Sequence, residues 1–291
     1  MVGAMMEEIL QALARALSFG TPLLLASLGV LVNERAGVVN LGVEGMMALG
    51  ALAAFGVASE TEALGLAVCL AMGAGALAAL LHGFVTLTLR ANTYVSGLAL
   101  AMLGLGVSGL LGKKYEGAIL FEPAPELPFT VAAGVLAVVL WGFLHATRPG
   151  LVLRSVGENP AAADVLGVNV LAVRYLAVAF GGAMAGLAGA FLSLAYRPAW
   201  TDGMTAGLGW IAVALVIFVG WSPLRAVFGS VFFGLLYYLQ FRLQDQSRVP
   251  TELFAAMPYL LVIGVLALAG LRRTQGAAPA ALGRPYHRGE R

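Results

Sequence analysis

Charged side chains are scarce. Asp, Glu, Lys and Arg make up 11% of the 291 residues, where soluble domains carry about 25%. Hydrophobic residues reach 60%. A water-soluble fold of this size could not cover that much apolar surface, so a soluble globular domain is excluded. Cysteine is nearly absent too. Cys69 stands alone in an apolar run, which rules out a disulfide or a thiolate metal cluster within the chain. The three histidines, His82, His145 and His287, are scattered, so no metal site is expected. A net charge of +2 is too small for a nucleic-acid partner. No cleavable leader is expected, because Glu7 and Glu8 stand where basic residues should precede the first apolar run.

Enzyme signatures are missing as well. Neither H-E-x-x-H nor G-x-S-x-G occurs. The nearest approach to a phosphate loop is Gly106-Val107-Ser108-Gly109-Leu110-Leu111-Gly112-Lys113-Lys114. It fails twice, with Val107 in place of the first Gly and Lys114 in place of Ser or Thr. The chain should not bind or hydrolyse ATP, no catalytic residue is assigned, and no cofactor is implied.

What remains is long apolar runs. A spanning helix needs about 20 mostly apolar residues. Candidates fall at 9–32, 44–58, 62–89, 93–111, 129–146, 171–195, 207–221, 226–243 and 252–271. That makes nine spans, or eight if 44–58 is a half-span. The alternating pattern of an outer-membrane barrel is absent. The fold class is therefore an all-α polytopic membrane protein. One permease-sized domain covers 1–271, and a short basic tail covers 272–291. Orientation follows Lys and Arg in short loops. With nine spans and the C-terminus inside, inner loops and tail hold 11 such residues and outer ones 5. This places the N-terminus outside, 112–128 outside, and 147–170 and the tail in the cytoplasm.

Two polar stretches stand out. Within 147–170, Asn159 suits an N-cap and Pro160 the first helical position. Ala161, Ala162 and Ala163 favour helix, and Gly167 ends it. About 10 Å of helix results, too short to span. It must lie on the membrane surface or project into a partner. Asp164, close to its C-terminus, sits where the helix dipole disfavours a carboxylate. The second stretch runs from Asn33 to Gly45. It is either an ordinary cytoplasmic turn or a structured break packed near a pathway, since irregular backbone at membrane depth needs protein or a water-filled cavity around it.

Polar residues within spans are candidate pathway groups: Asn92, Thr93, Ser96, Ser193 and Gln240. Ser and Thr can instead bond back to their own helices. His82 fits a satisfied packing role. Gly182 and Gly186 form a G-x-x-x-G pair, repeated by Ala185 and Gly189, suited to close helix packing within the chain or between subunits.

Residues 34–47, Glu34-Arg35-Ala36-Gly37-Val38-Val39-Asn40-Leu41-Gly42-Val43-Glu44-Gly45-Met46-Met47, resemble the E-R-x-G-x-x-N-x-G-x-E-G-M-M signature of ABC-importer permeases for nucleosides and simple sugars. Residues 154–169 resemble the cytoplasmic loop that this group shares with branched-chain amino acid permeases. The run 177–191 also fits, and the likeness extends over roughly 20–270. The resemblance implies a coupling role for Gly157, Glu158, Asn159, Pro160, Ala161, Ala162, Ala163, Asp164 and Gly167. It implies a place near the pathway for Glu34, Arg35, Gly37, Asn40, Gly42, Glu44 and Gly45.

The resemblance further implies a multi-pass protein of the plasma or inner membrane, surrounded by lipid. Its partners would be separate ATP-binding subunits and a periplasmic or lipid-anchored substrate-binding protein. A second, paralogous permease or a second copy of this chain would complete the membrane unit. Branched-chain amino acids remain an alternative substrate. Of the rival functions, a secondary transporter should carry an intramembrane Asp, Glu or His, and none falls at an expected midplane. A channel would show a selectivity filter, and a membrane enzyme a catalytic constellation.

Overall fold

The computed structural model describes residues 2–246 and 278–286, together with positions 256, 260, 263, 264 and 267. Among the described residues, ten continuous α-helices account for most of the chain: α1 (Val2–Arg35), α2 (Val43–Thr61), α3 (Leu64–Gly83), α4 (Thr93–Gly112), α5 (Glu126–Ala146), α6 (Arg148–Glu158), α7 (Pro160–Val165), α8 (Val170–Phe191), α9 (Leu208–Phe218) and α10 (Pro223–Gln246). Turns of π-helix, Phe84–Thr88 and Leu192–Tyr196, extend α3 and α8. No strand occurs among the described residues, only an isolated bridge between Ile119 and Ala199.

Among the described residues, seven helices are long and apolar enough to cross a bilayer. α1 is the axis of the bundle, with 94% of its apolar window buried. α3 and α5, at 22%, form the periphery and present leucines and valines outward as lipid-facing helices do. Packing between backbones relies on small residues. Gly182 of α8 lies against Gly75 of α3, Gly186 against Ala71 and Gly50, and Gly189 against Met47. A β-carbon at any of these would collide with backbone, so the G-x-x-x-G pair serves packing within the chain.

The two ends of the bundle can be told apart by contact. One end, called proximal here, carries α6, α7, the start of α8 and residues 278–286. The distal end carries Lys113–Tyr115 and the 197–203 turn. α5 runs between them, so 112–128 and 147–170 lie at opposite ends, as the sequence predicts. The ninth expected span, 252–271, falls outside the described residues apart from the five isolated positions.

Two expectations need correction. The run 207–221 is not a span. Its helix α9 has 11 residues, about 16 Å at 1.5 Å per residue and half a bilayer core of about 30 Å. Gly203, Ala206 and Gly207, all at positive φ, hold residues 201–207 in turns, so the chain re-enters the bundle before helix begins. The run 44–58 is found as a 19-residue candidate span, α2, which starts inside the bundle: Gly45 lies against Leu100 and Ala101, midway along α4. The loop 147–170 contains two helices, not one. Thr147 caps α6 through Gly150 N–H (3.1 Å), and Leu153 and Val156 are buried. Its Arg148, Arg154, Ser155 and Glu158 interrupt the apolar residues and hide this surface helix from a search for apolar runs.

Candidate functional site

The signature stretch is a structured break that enters the protein. After α1, Gly37 takes φ +85° and the chain climbs alongside α4, with Leu41 against Gly97 and Gly42 against Leu100. Asn40 Oδ1 accepts the Gly42 N–H (2.8 Å), which closes the turn into α2. Gly45 is required because a β-carbon there would collide with the Leu100 and Ala101 backbone, while one at Gly42 would press on the Leu100 side chain. Glu34 and Arg35 fasten the distant corner between α9 and α10. Trp221 Nε1 donates to Glu34 Oε2 (2.5 Å), and Arg35 Nη2 donates to the Trp221 carbonyl (2.9 Å). Together they hold Trp221 at φ +54°, an uncommon conformation for a bulky residue.

Glu44 joins the two broken segments. Its carboxylate, 3% exposed, accepts N–H groups from Gly207 (2.8 Å) and Gly209 (2.7 Å) at the start of α9. It also occupies the first turn of its own helix. One buried charge thus answers two helix N-termini, where the dipoles favour an anion. This corrects the expectation that no acidic group lies at mid-depth. Glu44 does, but its hydrogen bonds are structural, so it does not have the form of an ion-coupling group.

The proximal end carries the expected short helix. Asn159 Oδ1 accepts the Ala162 N–H (3.0 Å), Pro160 opens α7, and Gly167 at φ +85° ends it. Ala163 is buried, Ala161 and Ala162 are exposed, and Val165 and Leu166 are 88% and 84% exposed. Gly157 rests on the Arg35 carbonyl, where a β-carbon would collide. The α6–α7 hairpin is therefore keyed directly to the end of the central helix.

A cavity of about 230 Å³ opens between α1, α8, α9 and α10 in the distal half. Phe19 and Tyr237 stack face to face there, ring centroids 3.6 Å apart. Tyr196, Arg197, Met204 and Gln240 complete much of the wall. Gln240 is buried and its Oε1 has no hydrogen-bond donor. The cavity adjoins both the re-entrant turn and the π-helical turn of α8, a kind of distortion common at functional sites.

The family model described as branched-chain amino acid transport system / permease component matches residues 12–266. The chain belongs to this permease family. Among its relatives, TsgC13 of Haloferax volcanii, a permease protein assigned to a glucose ABC transporter, is 39% identical over 92% of this chain and 94% of its own length. The guanosine ABC transporter permease protein NupQ of Bacillus subtilis is 34% identical over 94% of this chain and 96% of its own. The nucleoside ABC transporter permease protein NupC of Lactococcus lactis is also 34% identical, over 88% and 90%. A metal-chelate type ABC transporter solved in an inward-facing conformation shares the fold, with a TM-score of 0.51 and 17% identity over 89% of this chain and 85% of that one.

In this ABC permease the five polar residues expected along a path are dispersed. Asn92 is not inside a span. It is exposed and caps α4 by accepting from Tyr94 and Val95 N–H (2.9 and 3.1 Å). Thr93 donates to the Val39 carbonyl (2.8 Å). That carbonyl also meets His82 Nε2 (3.1 Å), which must therefore carry a hydrogen. Ser96 then pairs with His82 Nδ1 (3.0 Å). Ser193 donates to the Ala51 carbonyl (2.9 Å) and is fully buried. Only Gln240 faces a cavity with an unmet polar atom. Phe19 and Tyr196 carry no sequence mark of a site, because aromatics in apolar runs do not, and Tyr237, which with Tyr238 and Arg242 reads as part of an interfacial belt, lines the cavity instead.

Proposed function

We propose that this permease passes a nucleoside or a related simple sugar into the cell by alternating access, driven by ATP hydrolysis on separate subunits. The observation that carries the coupling half is the tip of α7. Val165 and Leu166 are almost fully exposed on a capped helix keyed to α1, and an apolar tip held out in this way fits a groove on a partner. On this reading the proximal end is cytoplasmic and receives the ATP-binding subunits at 157–167. A periplasmic or lipid-anchored binding protein delivers substrate to the distal end.

Substrate class rests on the relatives, whose names assign guanosine, nucleosides or glucose, and not branched-chain amino acids. The distal cavity suits that class. A purine stacks on an aromatic face, and a sugar hydroxyl or base amino group can donate to Gln240 Oε1. The partner permease is a paralogue. NupP of B. subtilis, also a guanosine ABC transporter permease protein, is 28% identical to this chain against 34% for NupQ. The H. volcanii pair repeats the pattern, with TsgB13 at 24% and TsgC13 at 39%. Two permeases with one substrate name, one of them nearer to this chain, support a heterodimer.

The test is uptake by the reconstituted complex in proteoliposomes. Guanosine or another nucleoside should be taken up with ATP, and leucine should not. Gln240→Leu should raise the KM several-fold while assembly persists. Uptake of leucine alone would refute the substrate reading, and uptake without any ATP-binding subunit would refute the coupling.

A further inference from the structure

The proximal end holds a second cavity, about 190 Å³, remote from the distal one. It lies among the end of α3, the start of α4, the signature turn at Gly37 and Val38, the start of α8 and the segment 283–285. That segment is docked by its backbone. Ala281 N–H bonds to the Gly157 carbonyl (2.9 Å), Ala280 N–H to Glu158 Oε2 (3.2 Å), and Gly283 N–H to the Gly37 carbonyl (3.0 Å).

Arg174 reaches this cavity from α8 and is 2% exposed. Its Nε donates to the Ala36 carbonyl (3.2 Å) and its Nη1 to the Arg284 carbonyl (3.3 Å). Its Nη2 is buried with no acceptor, close to Gly37 on the cavity wall. No carboxylate pairs with it: the ion pairs among the described residues join Lys114 to Glu60 and Arg242 to Glu8. A buried guanidinium that donates to neutral carbonyls and has the Tyr286 phenol as its electrostatic neighbour is costly, because its lost hydration is not offset by a full opposite charge. Two more arginines, Arg90 and Arg284, line the same cavity, and its described lining contains no Asp or Glu. The N-terminus of α4, Asn92 to Tyr94, forms another wall and adds the positive end of a 20-residue helix.

We propose that this cavity is a phosphate-binding site, completed by the phosphate of an anionic lipid or by a soluble phosphoryl anion. Arg174 Nη2 and the Arg284 side chain bind it, and the α4 N-terminus supports it. Basic pockets between membrane helices at the cytoplasmic face are suited to lipid head groups. The lipid source rests on the cytoplasmic placement of this end proposed above; the phosphate chemistry does not. Occupancy would tie 279–285 to the signature turn, and so to the base of the α6–α7 hairpin.

The test uses the full-length chain purified with its partner subunits. Thermal unfolding is followed with phosphatidylglycerol, with phosphatidylcholine, or with inorganic phosphate, and retained lipid is counted by native mass spectrometry. Phosphatidylglycerol should be retained and should raise the midpoint where phosphatidylcholine does not. Protection by inorganic phosphate alone would identify the soluble anion as the source and still support the site. Arg284→Ala spares the backbone contacts of the segment and should weaken the anion about fivefold, since one basic residue near such a surface is worth about 1 kcal/mol. Arg174→Lys keeps the charge but loses the fork, and should weaken it further. If neither anion outperforms phosphatidylcholine, or if Arg284→Ala and Arg174→Lys both leave the anion effect unchanged, Arg174 is only a strut and the site does not exist. Uptake activity plays no part in this readout, so its failure is separable from failure of the transport reading.

Discussion

At the scale of single residues, the signature is mostly fastening. Glu44 is the clearest case, because two buried N–H groups depend on it. Glu44→Gln keeps an acceptor but loses the charge that both helix N-termini favour, a loss of about 1–2 kcal/mol. Glu44→Ala leaves both donors unsatisfied, at about 1–3 kcal/mol each. The unfolding midpoint in detergent should therefore fall in the order unmodified, Gln, Ala. Equal midpoints for all three would mean that water satisfies the α9 terminus and the carboxylate is dispensable. Glu44 was visible in the sequence as a motif letter. Its partner lies 163 residues further on, and nothing local in either segment points to the other. The two hydrogen bonds of His82 were half legible, since a lone histidine in an apolar run needs partners, but which partners depends on the fold.

At the scale of elements, short capped pieces carry the functional argument. α7 was legible because its cap, its first-turn Pro, its alanines and its terminal Gly all agree. α6 was not, because a helix lying on a surface needs only two buried side chains, Leu153 and Val156, and reads as loop. The two re-entrant turns were half legible. Gly and Asn mark the first, but 201–207 was absorbed into an apolar run that begins with Gly207. Burial within α7 sharpens the coupling test. Ala162 is exposed and Ala163 is 3% exposed. Asn159→Ala removes a cap worth about 1 kcal/mol and should leave the bundle folded. Ala162→Trp should also fold, yet weaken association with the ATP-binding subunits or uncouple hydrolysis from uptake, because overpacking a close fit costs about 1–3 kcal/mol. Ala163→Trp is the control and should destabilise the isolated permease itself. Unaltered, ATP-coupled uptake by Ala162→Trp would remove α7 from the coupling path.

At the scale of the whole molecule, the two broken segments enter from opposite ends. Residues 36–42 rise from the proximal end and 197–207 descend from the distal end, and the helices they open, α2 and α9, meet at Glu44. The arrangement places one broken segment in each half of the long axis. It ties the proximal hairpin, through Gly157 and the Arg35 carbonyl, to the helix that carries Phe19 of the distal cavity. Alternating access requires the two ends to face different compartments, so sidedness is the property on which the transport reading stands. The charge distribution supports a direction: Arg35, Arg90, Arg148, Arg154, Arg174 and Arg225 lie at the proximal end, while Lys113, Lys114, Arg197 and Arg242 lie at the distal end. The positive-inside rule supports the proposal that the proximal end is cytoplasmic. Two sites make good probes because they are among the most exposed of the described residues and are separated by α5: Phe121, 99% exposed, and Leu166, 84% exposed. In a Cys69→Ala background, Phe121→Cys should react with a membrane-impermeant maleimide added to intact cells, and Leu166→Cys should react only after the membrane is opened. Labelling of both in intact cells would mean that α5 does not cross the bilayer. The reverse pattern would put α7 outside, where no ATP-binding subunit could reach it.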